Sequence, residues 1–370
     1  MPMRRRAFLT AAFLSGAAAA LAACGGDDRG SLVDGDGGAP VWRMPDETHE
    51  HELTYMSWPT RRIWGSDVED VRDDIAGIAR AVAGFEPVVL LAAESDAAAA
   101  GKACGSGVDV LPVTVDDLWT RDTGPSFVLG PHGVAGVDLN FNGWGGKQFH
   151  DNDALVARGI LDEAGIARIA APIVGEGGSI EVDGAGTLMA TESSLVNPNR
   201  NPGKTRDDIE RALEDLFGVT TVIWVDGVRD HDITDFHIDA LARFARPGVV
   251  VMSTPGEQAP SDVWTTAYDQ ARAVLTEAVD ARGDRLELVD LPEPTDIGRR
   301  GEEFLASYVN YYVVNGGVIA PRFGDRKADA NASAILADLY PGRDITQVGV
   351  DTLGEGGGGV HCATQQLPRA

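Results

Sequence analysis

Gly356-Gly357-Gly358-Gly359-Val360-His361-Cys362 ends in a thiol that follows four consecutive glycines. Such a run lets backbone come close to a bound molecule and take up positive φ, so Cys362 is placed to meet a small substrate. A buried, inert cysteine closing a turn is the other reading of the same residues. A thiol that acts as a nucleophile needs a base, and the base needs a group to orient it. Among seven histidines, His237 has the most informative neighbours, Asp235-Phe236-His237-Ile238-Asp239. Read as a strand, this segment puts Asp235, His237 and Asp239 on one face and Phe236 and Ile238 on the other. Three ionisable groups on one face are costly to bury and suit a polar pocket, unless the strand is a solvated edge. His132, His231 and His361 have weaker contexts.

Two further segments carry carboxylates in rigid surroundings. Trp119-Thr120-Arg121-Asp122-Thr123-Gly124-Pro125 reads as a loop presenting Asp122, with a surface Arg121–Asp122 pair as the alternative. Glu176-Gly177-Gly178 sets a carboxylate against two glycines at a strand start, or is an ordinary turn. There is no His-x-x-x-His pair, no Cys-x-x-Cys and no calcium-spaced acidic loop, so the sequence predicts no catalytic metal.

These residues need a scaffold. Short apolar runs alternate with helical patterns from about Glu50 onward. Strands are predicted at 87–91, 108–113, 167–174, 221–225, 249–252 and 286–289, and helices at 70–83, 152–164 and 205–216, the last capped by Thr205. Hairpins are predicted at 126–139, 179–190 and 308–320. Strand, hairpin and helix recur without visible similarity in sequence, which suggests one α/β domain with a repeated architecture. No Gly-x-Gly-x-x-Gly joins an early strand to a helix, and the phosphate-loop motif is missing, so a nucleotide-binding reading fails.

The N-terminus reads as an address. Arg4-Arg5-Arg6-Ala7-Phe8-Leu9 precedes an Ala-rich apolar stretch, as in a twin-arginine signal peptide spanning residues 1–23. Leu21-Ala22-Ala23-Cys24 resembles a lipoprotein lipobox, with Cys24 as the lipid-bearing residue. Residues 24–46 read as a Gly/Asp/Ser-rich flexible tether, and residues 47–370 as the catalytic domain. The expected location is outside the cytoplasm, on a lipid anchor or secreted. The chain carries 31 basic and 57 acidic side chains, a net charge of −26. That argues against a nucleic-acid partner and suits either a cationic substrate or simple solubility. Three cysteines allow at most one disulfide, and none is required; Cys104, in Gly101-Lys102-Ala103-Cys104-Gly105, reads as a loop thiol.

Together these motifs resemble the agmatine deiminase family, within the guanidine-modifying enzymes that include arginine deiminases and bacterial peptidylarginine deiminase. Met56-Ser57-Trp58-Pro59 with Trp64 opens the resemblance, and the segment at 119–125 follows. Next come Asn142-Gly143-Trp144-Gly145-Gly146, Glu176-Gly177-Gly178-Ser179-Ile180, Asn197-Pro198-Asn199-Arg200-Asn201-Pro202, residues 234–239 and residues 357–366. The resemblance implies a pentein-like five-bladed α/β propeller with a central site and no cofactor. It implies that Cys362 attacks a guanidinium carbon, that Asp122 and Asp239 grip its nitrogens, that His237 shuttles protons and that Glu176 orients His237. Trp119, Trp144, Gly358 and Gly359 are the remaining substrate-contact candidates. Two features depart from the family: Phe236 stands where agmatine deiminases often have Gly, and the family's cytosolic members lack an export signal.

The paired carboxylates suit a planar guanidinium with its forked donors. An arginine substrate carries a carboxylate that wants a cation, and residues 140–146 offer no Arg where the bacterial peptidylarginine enzymes have an Arg-rich loop. Agmatine is therefore the expected substrate. Arginine, in peptides or free, is the alternative; Arg200 could supply a cation, although a structural role fits it better. A lipoprotein that binds guanidines or polyamines without turnover is a third reading, but it has no need of Cys362 and His237 together. A homo-oligomer is left open.

Overall fold

The computed structural model describes residues 42–256, 259 and 261–370. The expected signal peptide, Cys24 and the tether as far as residue 41 lie outside the described residues.

The first strand, His51–Ser57 (β1), runs parallel to Val88–Leu91 (β2), and β2 runs parallel to Val108–Leu111 (β3). The second sheet contains Ser126–Gly130 (β4), Gly133–Asp138 (β5) and Ala167–Ala170 (β6). The third contains Ile180–Val182 (β7), Thr187–Thr191 (β8) and Thr221–Val225 (β9), and the fourth Ala242–Arg246 (β10), Val249–Thr254 (β11) and Glu287–Pro292 (β12). Tyr312–Val314 (β13), Gly317–Arg322 (β14) and Asp344–Gly349 (β15) form the fifth. In sheets two to five, an antiparallel hairpin is followed by a third strand parallel to the second. The last strand, Gln365–Pro368 (β16), pairs antiparallel with β1. The first sheet thus takes its hairpin partner from the far end of the chain, and the same strand order appears five times.

A parallel return needs a crossover, and a helix supplies it in every unit. These are Val68–Val82 (α1), Val156–Ala164 (α2), Arg206–Phe217 (α3), Val263–Glu277 (α4) and Arg326–Leu339 (α5). On α1 the buried residues Val68, Val71, Ile75, Ala79 and Val82 recur at three- and four-residue spacing, one stripe against the sheet. Helix α3 opens on the capping box that Thr205 announces, in which Thr205 and Asp208 each accept the other's backbone N–H. Five sheet-plus-helix units make the five-bladed α/β propeller that the resemblance implies.

Some elements escape the sequence reading. Strands β1, β10, β15 and β16 and helices α4 and α5 are not anticipated. Helix α5 buries Asp329, Ala332, Leu336 and Leu339 at helical spacing, but only the two leucines are large and apolar, and β15 is half-buried along most of its length, so neither shows a strong apolar period. Cys104 is not a loop thiol. It ends the helix Ala97–Cys104, is buried, and has its pKa pushed up by burial to about 11. The tether also stops short of residue 46. Arg43 exchanges backbone hydrogen bonds with Leu129 at 2.9 and 2.8 Å, and the Met44 N–H donates to the Phe217 carbonyl at 3.0 Å. Apolar Trp42 and Met44 pack on the core shared by the second and third blades, where a Gly/Asp/Ser tether has nothing to bury.

Gly218 ends α3 at φ 66°, and a Cβ there would lie 2.1 Å from the Trp42 carbonyl oxygen. Gly218→Ala is expected to lower stability by at least about 1 kcal/mol from left-handed strain alone. It should also release residues 42–46 to protease, seen as faster cleavage there and an earlier urea midpoint.

Candidate active site

The site residues enter from the loops that lead into the first strand of each hairpin. Asp122 precedes β4, Glu176 and Gly178 precede β7, His237 and Asp239 precede β10, Asn310 precedes β13 and Cys362 precedes β16. They line or back one cavity of about 490 Å³.

Asp122 sits in a buried helical turn, Thr120–Thr123, not in an open loop. Its Oδ1 accepts the Gly178 N–H at 3.0 Å and its Oδ2 accepts the Trp144 indole N–H at 2.9 Å. Trp144 holds φ 53° within the Gly-rich stretch 142–146, and Asn142 caps Gly145, so the strained turn aims the indole at Asp122. Gly178 must be glycine, because a Cβ would lie 2.7 Å from His237 Nδ1 and 2.9 Å from Asp122 Oδ1. Arg121 is not the solvent partner of Asp122. It is buried and pairs with Glu47 at 3.2 Å, and its backbone N–H donates to the Cys362 carbonyl at 3.1 Å.

The segment 235–239 is not a strand. Asp235 and Phe236 have φ 60° and 71°, and Ile238–Ala240 is a 3-10 turn, so the alternation that would align three ionisable groups fails. His237 and Asp239 still reach the cavity. Asp235 does not; it lies beneath the site, fully buried, and binds Arg200 and Lys147. Arg200 also reaches Glu176 Oε1 at 2.9 Å, which settles Arg200 in a structural role. Glu176 Oε2 faces His237 Nε2 at 3.4 Å, and Asp122 Oδ2 faces His237 Nδ1 at 3.7 Å. Phe236 packs on Trp264 and Tyr268, with ring centroids 5.3 and 6.3 Å away, while also lining the cavity.

Cys362 is held by a residue that the sequence reading missed. The Asn310 amide donates to Cys362 Sγ at 3.1 Å, and Asn310 Oδ1 accepts the backbone N–H groups of His361 and Cys362 at 3.0 and 3.3 Å. Its position just before a hairpin, equivalent to those of Asp122 and Glu176, is the signal that could have found it. Gly358 lines the cavity, and a Cβ there would meet the Trp119 ring at 2.2 Å. Gly359 does not line the cavity: a Cβ there would point at Asn310, 2.7 Å from its Oδ1. Trp119 lines the cavity, tilted against Trp64.

The electrostatics divide the site. Burial pushes the Cys362 thiol well above its usual value, and the charges of Asp239 and Asp122 push it further. Burial opposes charging His237, yet Asp122, Glu176 and Asp239 raise it to about 9. Burial would also raise Glu176, but Arg200 and His237 hold it below the usual carboxylate range. Asp239 Oδ1 is buried without a hydrogen-bond partner and is therefore free to accept from a bound molecule. The site thus sets a neutral thiol beside an imidazolium, with one carboxylate oxygen of Asp239 that no protein group uses.

A model of the Porphyromonas-type peptidyl-arginine deiminase family matches residues 43–368. A Streptomyces coelicolor protein is 41% identical, over 89% of this chain and 99% of its own length. The agmatine deiminase of Pseudomonas aeruginosa strain LESB58 is 38% identical over 89% of this chain and 96% of its own. The solved agmatine deiminase of Enterococcus faecalis superposes with a TM-score of 0.82 at 30% identity, covering 90% of this chain and 98% of that one. The chain belongs to the Porphyromonas-type peptidyl-arginine deiminase family.

Proposed function

We propose that the protein hydrolyses agmatine to N-carbamoylputrescine and ammonia through a covalent amidino-cysteine. One observation carries the choice of substrate. Among the described residues, the cavity is lined by Asp117, Asp122, Asp232, Asp239, Asp262, Glu293, Glu302 and Glu303, and by no Lys or Arg. A guanidine with an ammonium tail finds partners along its whole length there. A guanidine with a carboxylate tail meets carboxylates there and no Lys or Arg to pair with.

The reaction follows from the geometry. The guanidinium lies between Asp122 and Asp239, and Asp239 Oδ1 accepts one of its N–H groups. Its positive charge offsets the two anions that hold Cys362 as a thiol, so the thiol gives up its proton to solvent water when the substrate arrives. Sulfur adds to the guanidinium carbon to give a tetrahedral adduct. The His237 imidazolium protonates the departing nitrogen, the C–N bond breaks and ammonia leaves. His237, now neutral, takes a proton from water. The water oxygen bonds to the amidino carbon, the C–S bond breaks, and the ureido product departs with Cys362 regenerated. Glu176, fixed by Arg200, keeps His237 turned toward the cavity and charged.

We also propose that the chemistry takes place outside the cytoplasm. Arg4-Arg5-Arg6, the apolar stretch after it and Leu21-Ala22-Ala23-Cys24 support that reading.

Agmatine is expected to exceed free arginine and a peptide with C-terminal arginine in kcat/KM by about a hundredfold, since like charges in a pocket cost several kcal/mol. Agmatine as the poorest of the three would overturn the assignment. The rate should fall above pH about 9, where His237 loses the proton it must donate. Glu176→Gln removes one of the charges holding that proton, so the alkaline limb should move down by about one pH unit, worth about 1.4 kcal/mol; an unmoved limb would take His237 out of this role. Export is tested by fractionation: Cys24→Ser should move the protein from the membrane pellet to the soluble fraction, whereas uncleaved protein in the cytoplasm would refute the anchor.

A further inference from the structure

Behind the nucleophile lies a buried chain of ionisable groups that the reaction above does not use. Cys362 Sγ lies 3.5 Å from Asp239 Oδ2, and the same oxygen lies 2.7 Å from His361 Nδ1. The other ring nitrogen, Nε2, lies 3.0 Å from Glu47 Oε2. All four residues are at least largely buried, with His361 at 2% exposure and Asp239 at 1%. Glu47 comes from the N-terminal segment just before β1. Burial opposes its ionisation, yet Arg243, His361 and Arg121 hold its carboxyl well below the usual range. Burial likewise opposes ionising Asp239, and His361, His237 and Arg243 outweigh it. Each ring nitrogen of His361 thus faces a carboxylate oxygen, Nε2 that of Glu47 and Nδ1 that of Asp239, so a ring N–H meets the Asp239 charge.

That charge bears on sulfur. An unneutralised Asp239 beside Sγ would oppose the thiolate. A ring N–H on Oδ2 blunts that field and leaves Oδ1 free for the guanidinium. We propose that Glu47 is a positioning residue for the nucleophile: it fixes the His361 ring so that Nδ1 stays on Asp239 Oδ2, the oxygen beside Cys362, lowering the cost of forming the thiolate. The other charged groups around the chain are Asp122 and His237 at the cavity, and Arg121, Arg243 and Glu181 around Glu47. The inference rests on the reading of Cys362 as the nucleophile.

The test uses no substrate. The pH dependence of Cys362 alkylation by iodoacetamide, read at that residue by peptide mass spectrometry, reports the thiolate directly. Glu47→Gln is expected to move the midpoint up by about one unit, slowing alkylation about tenfold at a fixed pH below it. His361→Gln should do the same. The double variant should add little to either single one, because Glu47 acts through the ring. Should Glu47→Gln not fold with Arg121 left without its carboxylate, Glu47→Asp keeps the charge but falls short of His361, and a smaller upward shift is expected. An unmoved midpoint in folded Glu47 variants, or additive shifts in the double variant, overturns the proposal. Wild-type turnover of agmatine measured alongside separates the two readings: a shifted midpoint with no turnover sinks the substrate assignment and leaves the role of Glu47 standing.

Discussion

Two carboxylates beside a buried thiol are the constraint from which the rest of the site follows. Asp122 and Asp239 are needed to hold a guanidinium, and the same charges make the Cys362 thiolate unfavourable while the site is empty. The conflict disappears only when a cation fills the space between them. Selectivity and activation therefore share one origin, because a neutral molecule of the same shape would leave sulfur protonated. Water and adventitious electrophiles then meet a poor nucleophile instead of a thiolate. Cys104 shows that burial alone also raises a thiol. What distinguishes Cys362 is that the charges of Asp239 and Asp122 add to burial, and those charges are ones that substrate can cancel.

So much buried charge has to be balanced, and the polar groups behind the site do this. Arg200 spans Glu176 and Asp235, Arg121 and Arg243 meet at Glu47, and Arg243 also reaches Glu181 at 3.3 Å. Buried ion pairs of this kind add little net stability, since desolvation consumes most of the attraction. Their value here is geometric. Asp239 has Oδ2 committed to His361 and Oδ1 left for the cavity, and Glu176 has Oε1 committed to Arg200 and Oε2 turned to His237. The strained φ values at Trp144, Asp235 and Phe236 fall in the same layer, where the surrounding contacts enforce them.

The parts of this arrangement that were legible in the sequence are those with a strong local signature. The hairpins at 126–139 and 179–190 announce themselves by alternation around turn residues, and α3 by its capping box and spacing. Cys362, His237, Glu176, Asp122 and Asp239 stand out as ionisable or nucleophilic groups set among glycines and aromatics. The errors have physical causes too. Alternating polarity at 235–239 mimics a strand, but two consecutive positive φ values turn the chain, and tertiary pairing with Arg200 and Lys147 draws Asp235 away from the cavity. Glu47 carries no local mark at all, and Asn310 carries only its place before a hairpin. The asparagine acquires its meaning from Cys362, 52 residues further on, and the glutamate from His361 near the other end of the chain.

The fivefold architecture explains how such distant residues meet. Each blade is entered through a loop that runs toward the common centre, so each loop can place a polar group there without disturbing the sheets. Closure by β16 on β1 matters doubly, because the strand that completes the first blade follows directly from the loop carrying Cys362. Glu47 approaches from the other end of the chain, four residues before β1, the strand with which β16 pairs. The two ends of the domain are thus joined twice, once by the β1–β16 ladder and once through His361 behind the nucleophile. A repeated scaffold supplies the positions, and unequal residues at equivalent positions supply the chemistry: a carboxylate at two entries, an imidazole with a carboxylate at the third, an amide at the fourth and a thiol at the fifth.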